Sequence, residues 1–315
     1  MFDISGFKRR HIAWLACILL LILFPAFGEA FYTRFGSRIL IYALAAISLD
    51  LLLGYGGMVS FGHAAFIGLG AYTVGILTTE GMELAFISWP LAILVGGLGA
   101  LVIGALSLRT VGIYFIMITL AFSQMLFYLA NSLQRYGGDD GKGIPKRNSF
   151  AGLIDIKDEV SFYYVTLVLF LICFCIAYRL VNSRFGMVVR GAQSNDMRMQ
   201  SIGFPTYQYR LLMFVIAGAM AGLSGALMTN LNAYFSPSYF EWFLSGVLLI
   251  MVIFGGSGTL IGPAIGAAVY MILEEVLSSL TVHWMVVFGP LLLIVVLFAN
   301  RGIYGWIARS RTGPT

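Results

Sequence analysis

The chain has 315 residues, of which 60% are hydrophobic and only 10% are charged. A soluble globular domain carries about 25% charged residues, so this composition excludes an ordinary soluble fold. The net charge of +5 comes from basic residues dispersed among apolar segments, which argues against nucleic acid as a partner. The three cysteines, Cys17, Cys173 and Cys175, are too few for a disulfide framework or a four-cysteine zinc site.

Apolar segments long enough to cross a lipid bilayer follow one another along the chain. A bilayer core about 30 Å thick needs about 20 apolar residues, or fewer where a helix breaks inside protein. The predicted spans are 12–27, 39–54, 63–79, 87–108, 112–133, 161–181, 211–231, 242–255, 263–280 and 284–300. We therefore predict an all-α, polytopic membrane protein with about ten transmembrane helices, in which residues 1–315 form a single membrane domain.

The distribution of charge predicts the orientation of these helices. When the N-terminus is placed inside, the loops on that side carry a large excess of basic residues, as cytoplasmic loops do. Pro25–Gly28 is a poor cleavage site, so residues 12–27 are expected to be a retained first span rather than a signal peptide. An even number of spans then places both termini in the cytoplasm.

A glycine-rich segment, Leu49–Tyr72, interrupts the second predicted helix. Gly56 and Gly57 break this helix, and the small residues that follow make the third helix thin, which allows close backbone packing or leaves room for a solute. Non-helical backbone at membrane depth survives only inside protein or beside a wet cavity. Ser60 and His63 are therefore candidates to face such a cavity, although His63 fits a packed interior position equally well.

Two longer loops interrupt the apolar pattern further along the chain. Residues 134–159 form the longest outside loop, whose charges balance and whose Gly137–Gly141 run favours turns, so we expect a folded external lid or docking surface. Residues 179–210 form a basic inside loop. Within that loop, Ser194 or Asn195 can cap a short helix from Asp196 to Ile202. A helix this short is marginal alone, so it needs a partner or the ends of its own spanning helices.

A second glycine-broken hairpin, Phe254–Ala268, lies on the same predicted side as the first. Two such hairpins on one side suggest a gate. Acids inside spans are costly in lipid and are functional candidates by default. Asp50 is expected to pair with an arginine at the inner surface, whereas Glu274 or its neighbour Glu275 can instead reach the outer membrane surface. The gate and translocation path are predicted to include Gly56, Gly57, Ser60, Phe61, His63, Gln124, Gly255, Gly256 and Gly258, with Asp50 and Glu274 as the acidic candidates.

No catalytic arrangement is evident in the sequence. His11, His63 and His283 lie on different segments, and the chain has no zinc-protease, nucleophile-elbow or phosphate-loop motif. We predict a transport subunit without a cofactor rather than an enzyme. If ATP drives it, the nucleotide must bind another chain.

The pattern G-Y-G-G-x-x-S-F-G-H-A-A-F-x-G-L-G-A-Y of residues 54–72 resembles the signature of permease subunits of branched-chain amino acid ABC importers, in particular the M-type subunit of the leucine/isoleucine/valine system. The resemblance extends over most of residues 41–300. Its other matching stretches are 109–124, 137–141, 184–203, 217–227 and 255–263.

This resemblance implies a subunit of an importer in the bacterial inner membrane. Its partners would be a homologous second permease, two ATPase subunits and a periplasmic substrate-binding protein, within membrane lipid. The segment Ser194–Gly203 matches the family's cytoplasmic coupling region. The residues expected to couple to the ATPase are Ser194, Asn195, Asp196, Arg198, Gln200, Ser201 and Gly203.

Two alternatives stay open at this point. Permeases of urea and short-amide importers are similar in sequence and are the nearest alternative. An ion-coupled secondary transporter that uses Glu274 or Asp50 is the alternative from another class, and uptake by this chain alone under a proton gradient would identify it.

Overall fold

The computed structural model describes residues 21–26, 30–150, 158–280, 283, 285–286 and 288–290. Its helices are α1 Ala30–Asp50, α2 His63–Thr79, α3 Ala85–Ser107, α4 Ile113–Ser132, α5 Glu159–Val181, α6 Arg184–Ser194, α7 Asp196–Ser201, α8 Thr206–Asn232, α9 Trp242–Gly255 and α10 Ile261–Leu280. A π-helical turn, Leu51–Tyr55, continues α1. Two short strands, β1 Lys142–Gly143 and β2 Tyr234–Phe235, pair antiparallel.

Six of the described helices are long and apolar enough to cross a membrane: α1 with its π-helical turn, α3, α4, α5, α8 and α10. The helices α2 and α9 are apolar but shorter. These findings confirm an all-α, multi-pass membrane protein. Most of the predicted span 12–27 and most of 284–300 lie outside the described residues.

The first described span is longer than predicted. Helix α1 begins at Ala30 rather than at residue 39, so that Arg34 and Arg38, which the sequence analysis assigned to a loop, lie in its first turns. The guanidinium of Arg34 donates to the carbonyl of Leu231 at 3.2 Å, and that of Arg38 lies 3.9 Å from a carboxylate oxygen of Glu274. A charge near a helix end is tolerated in this way because it reaches polar partners at the membrane surface.

Helix α8 forms the centre of the bundle, and α2 and α3 pack along it with their backbones close together. A Cβ atom on Gly70 of α2 would overlap the carbonyl of Gly222, and one on Gly225 of α8 would overlap the carbonyl of Ile67. The small residues of α2 therefore serve close helix packing, which supplies the van der Waals contact that holds helices together in lipid.

We expect the Gly225→Ala variant to be less stable by about 1–3 kcal/mol, because the added methyl group forces two packed backbones apart. The Gly246→Ala variant in α9 is the matched control, since its new methyl would lie 3.9 Å from the Phe61 ring, an ordinary contact. Thermal unfolding of the purified proteins in detergent measures both. An unchanged midpoint for Gly225→Ala would show that α2 and α8 separate without cost.

The bundle has two chemically different ends. The strand end carries β1 and β2, and the arginine end carries α6 and α7. At the strand end, Arg135 forms a 2.7 Å ion pair with Glu80, and the backbone N–H of Asn148 donates to the side chain of Asn230 at 2.9 Å. The described part of the 134–159 loop is thus folded against the helix ends.

Candidate coupling site and gate

The predicted short helix at the arginine end is present as α7, and a change of backbone direction at Asn195 begins it. Asn195 has extended backbone angles, and its side-chain oxygen accepts a hydrogen bond from the N–H of Arg198 at 2.9 Å. Asn195 is therefore the N-cap. Ser194 is instead the last residue of α6, and its hydroxyl donates to the carbonyl of Arg190. Gly203, with φ of +91°, follows the end of the helix.

Helix α6, Arg184–Ser194, was missed by the sequence analysis, which treated the segment as loop. Two signals in the sequence could have identified it. Ser183 caps its first turn by accepting from the N–H of Gly186, and Val188, Val189 and Ala192 are buried on one face at helical spacing. The basic loop is therefore two consecutive surface helices.

Hydrogen bonds attach both surface helices to α8. The guanidinium of Arg210 donates to the carbonyl of Ala192 at 2.9 Å and lies 3.6 Å from a carboxylate oxygen of Asp196. The side-chain amide of Gln200 donates to Asp196 at 3.0 Å and to the hydroxyl of Thr206 at 3.2 Å. Arg210 therefore contacts both surface helices, whereas Gln200 adds contacts within α7 and to the first residue of α8.

The outer face of α7 contacts little of the described chain. The helix contains no buried residue, Met197 is 80% exposed, and Ile202, just beyond the helix end, is 65% exposed. The hydroxyl of Ser201 donates to the carbonyl of Met197 and so is satisfied within the helix. Arg198 is exposed as well. The arginine end therefore exposes the apolar side chains of Met197 and Ile202 on a segment that Arg210 attaches to α8.

The two glycine-broken hairpins contact each other through Asp50. The carboxylate of Asp50 is fully buried and accepts hydrogen bonds from the backbone N–H groups of Gly258 at 2.8 Å and Leu260 at 3.4 Å. The expectation of an arginine partner for Asp50 was therefore wrong. The turn before α10 exposes amide N–H groups directly above the end of α1, and these take the place of a cation.

Glycine is required where the hairpins meet. A Cβ atom on Gly54 would overlap both the Asp50 carboxylate and the backbone of Gly258. Gly57 and Gly256 adopt φ of +66° and +110°, which only glycine adopts readily. Gly255 packs against the carbonyl of Gly262.

A side chain from the surface helices reaches the first hairpin. The amide of Gln193 in α6 donates to the carbonyl of Gly54 at 3.3 Å, and its stem packs against Gly57. A cavity of about 230 Å³ lies beside this contact and is lined by Gly56, Gly57, Gln193 and Arg210, among others. Sequence analysis missed Gln193, because a single polar residue in a basic loop carries no distinctive signal.

The other predicted path residues lie at buried or half-buried positions. His63 is fully buried, and its Nε2 lies 2.7 Å from the hydroxyl of Ser48, so it occupies a packed interior position. Ser60 is also buried and accepts from the N–H of Gly62. Phe61 is half-buried in the core, and Gln124 is half-buried on α4.

Glu274 lies far from Asp50 along the bundle axis. It pairs with Arg38 at the strand end, whereas Asp50 lies at the arginine end. The two acidic candidates therefore do not form one site.

Comparison with known proteins places the chain in a family. Residues 31–297 match the sequence model of the family described as branched-chain amino acid transport system / permease component. No solved structure matches.

Individual relatives agree with this match. The chain is 23% identical to the high-affinity branched-chain amino acid transport system permease protein LivM of Salmonella typhimurium and to that of Escherichia coli K12, over 94% of this chain and 75% of each relative. It is 25% identical to the permease protein LivH of Salmonella typhimurium, over 84% of this chain and 91% of that protein. The chain belongs to the family of permease components of branched-chain amino acid transport systems.

Proposed function

We propose that this chain is one permease subunit of an ATP-driven importer of branched-chain amino acids. The similarity to LivM over 94% of the chain is the observation that carries this proposal. LivM and LivH are both named as permease proteins of such a system, and both resemble this chain. The similarity to both proteins supports a pair of homologous permeases that together enclose the translocation path.

The family and the two ends of the bundle support the rest of the proposed assembly. The protein lies in the bacterial inner membrane with about ten spans, and the arginine end and both termini face the cytoplasm. Two ATPase subunits dock at the 179–210 region, which includes α6 and α7. A periplasmic substrate-binding protein docks at the strand end, where the described part of the 134–159 loop is folded.

The contacts at the arginine end support a route for coupling. Movement of an ATPase displaces α7, and the shared Arg210 anchor carries α6 with it. Gln193 then acts on Gly54, and Asp50 connects that turn to Gly258. Glycine-containing turns absorb such changes because their backbone angles are weakly restricted. A gate formed by both hairpins would move as one unit.

The proposal is tested in proteoliposomes that contain this chain with the second permease, ATPases and binding protein encoded by neighbouring genes. We expect uptake of radiolabelled leucine that requires internal ATP and that excess urea does not inhibit. Inhibition by urea would favour a urea or amide permease. Uptake by this chain alone under a proton gradient would show a secondary transporter.

A further inference from the structure

A cavity at the strand end, between α1, α8 and α10, is separate from the coupling site. Its volume of about 450 Å³ falls within the range of small-molecule sites, which is about 300–1,000 Å³. Arg34 and Arg38 of α1, Asn232 of α8 and Glu275 of α10 contribute its polar lining. The cavity thus holds both signs of charge at the end where a solute would enter.

The charged side chains of the cavity have hydrogen-bonding groups that are still available to a ligand. A guanidinium has five N–H donors, and Arg34 uses one of them for the carbonyl of Leu231. Arg38 lies 3.9 Å from Glu274 and 5.9 Å from the centroid of the Tyr42 ring, contacts that leave its other donors available. Glu275 is half-buried and forms no ion pair with any described residue.

The remaining lining is apolar. It consists of Phe31, Phe35, Ile41, Tyr42, Met228 and Leu231. Together with the charges, this wall matches a small zwitterion with an apolar side chain. Arginine binds a carboxylate through two parallel hydrogen bonds, and a carboxylate binds an ammonium group as a charge-assisted acceptor.

We propose that this cavity binds the free amino acid directly, with Arg34 on its carboxylate, Glu275 on its ammonium group and the apolar wall around its side chain. The choice of a branched-chain amino acid rests on the proposed function. The permease would then contribute to substrate selection, in addition to any binding protein.

The charge balance favours a zwitterion over the phosphate of an anionic lipid. The positive charges of Arg34 and Arg38 are balanced by the carboxylates of Glu275 and of Glu274, which pairs with Arg38. The net charge at the cavity is therefore close to zero. A phosphate would be repelled by Glu275, whereas the ammonium of an amino acid is attracted to it. Amino acids with a charged side chain would also place an extra charge against the apolar wall, at a large desolvation cost.

Saturation-transfer NMR on the full chain in phosphatidylcholine nanodiscs tests this inference without ATP or partner subunits. We expect the wild-type chain to bind leucine and to bind both leucinamide and 4-methylpentanoate at least about 10-fold more weakly, since each analogue lacks one charge-assisted hydrogen-bonding group. In Arg34→Gln, the preference for leucine over leucinamide should disappear. In Glu275→Gln, the preference for leucine over 4-methylpentanoate should disappear.

The Arg109→Gln variant, at the arginine end, makes the same chemical change away from the cavity and should keep both preferences. A wild-type chain that binds no leucine at millimolar concentration, or that binds leucinamide equally well, overturns the inference. So does unchanged discrimination in both folded variants, or leucine binding that anionic lipid abolishes by competition. Because the measurement needs no transport, a failure of ATP-driven uptake alone would count against the proposed function and not against this site.

Discussion

The Met197→Asp variant is expected to insert and fold normally but to lose its ATPase subunits and with them ATP-driven uptake. Met197 is 80% exposed and contributes little to the packing of this chain, so a carboxylate there costs the monomer little stability. If α7 enters an apolar groove on the ATPase, the same carboxylate is desolvated on binding. A buried anchor of this kind contributes about 2 kcal/mol or more to the binding free energy. Its loss would weaken the association with the ATPase by about 30-fold or more.

Copurification of the ATPase with the tagged permease measures this effect, and leucine uptake in proteoliposomes measures its consequence. The Met82→Asp variant is the matched control, since Met82 is also exposed but lies in the turn before α3 at the strand end. If the ATPase copurifies with Met82→Asp but not with Met197→Asp, the result supports α7 as the coupling site. Equal recovery with both variants would remove α7 from the ATPase interface.

The Asp50→Ala variant is expected to be both unstable and inactive in transport. Its carboxylate accepts from the N–H groups of Gly258 and Leu260, and alanine would leave both donors without this acceptor, one in a partly buried and one in a buried position. Each unpaired donor costs about 1–3 kcal/mol, so a loss of about 3 kcal/mol in the free energy of unfolding is expected. The two hairpins would also lose their connection.

Thermal unfolding measures the loss of stability. Uptake, measured at a temperature at which the variant stays folded, measures the loss of transport separately. Asp50→Asn keeps one acceptor oxygen and should lie between wild type and Asp50→Ala in both measurements. Asp139→Ala, which changes an exposed acid at the strand end, should match wild type. If Asp50→Ala unfolds at the wild-type temperature, the contact between the hairpins contributes no stability.

The membrane class, the family and the short surface helix were predictable from the sequence because each depends on local order along the chain. Apolar run length defines spans, and Asn195 followed by Asp196 and Gly203 defines a capped helix that needs no distant partner. The beginning of α1 was misplaced for the opposite reason. Arg34 and Arg38 lie in a membrane-spanning helix, where their charges are stabilised by Leu231 and Glu274, which are far away in sequence.

The sequence alone therefore determined most of the apolar helices, where glycine interrupts them and which family the chain resembles. Only the tertiary structure decided what the polar residues contact. Hydropathy and periodicity do not specify which backbone amides face a carboxylate, so Asp50 was matched to an arginine when Gly258 was its partner. The contact between Gln193 and Gly54 and the cavity around Arg34 and Glu275 likewise arise from helices that the fold brings together across long stretches of chain.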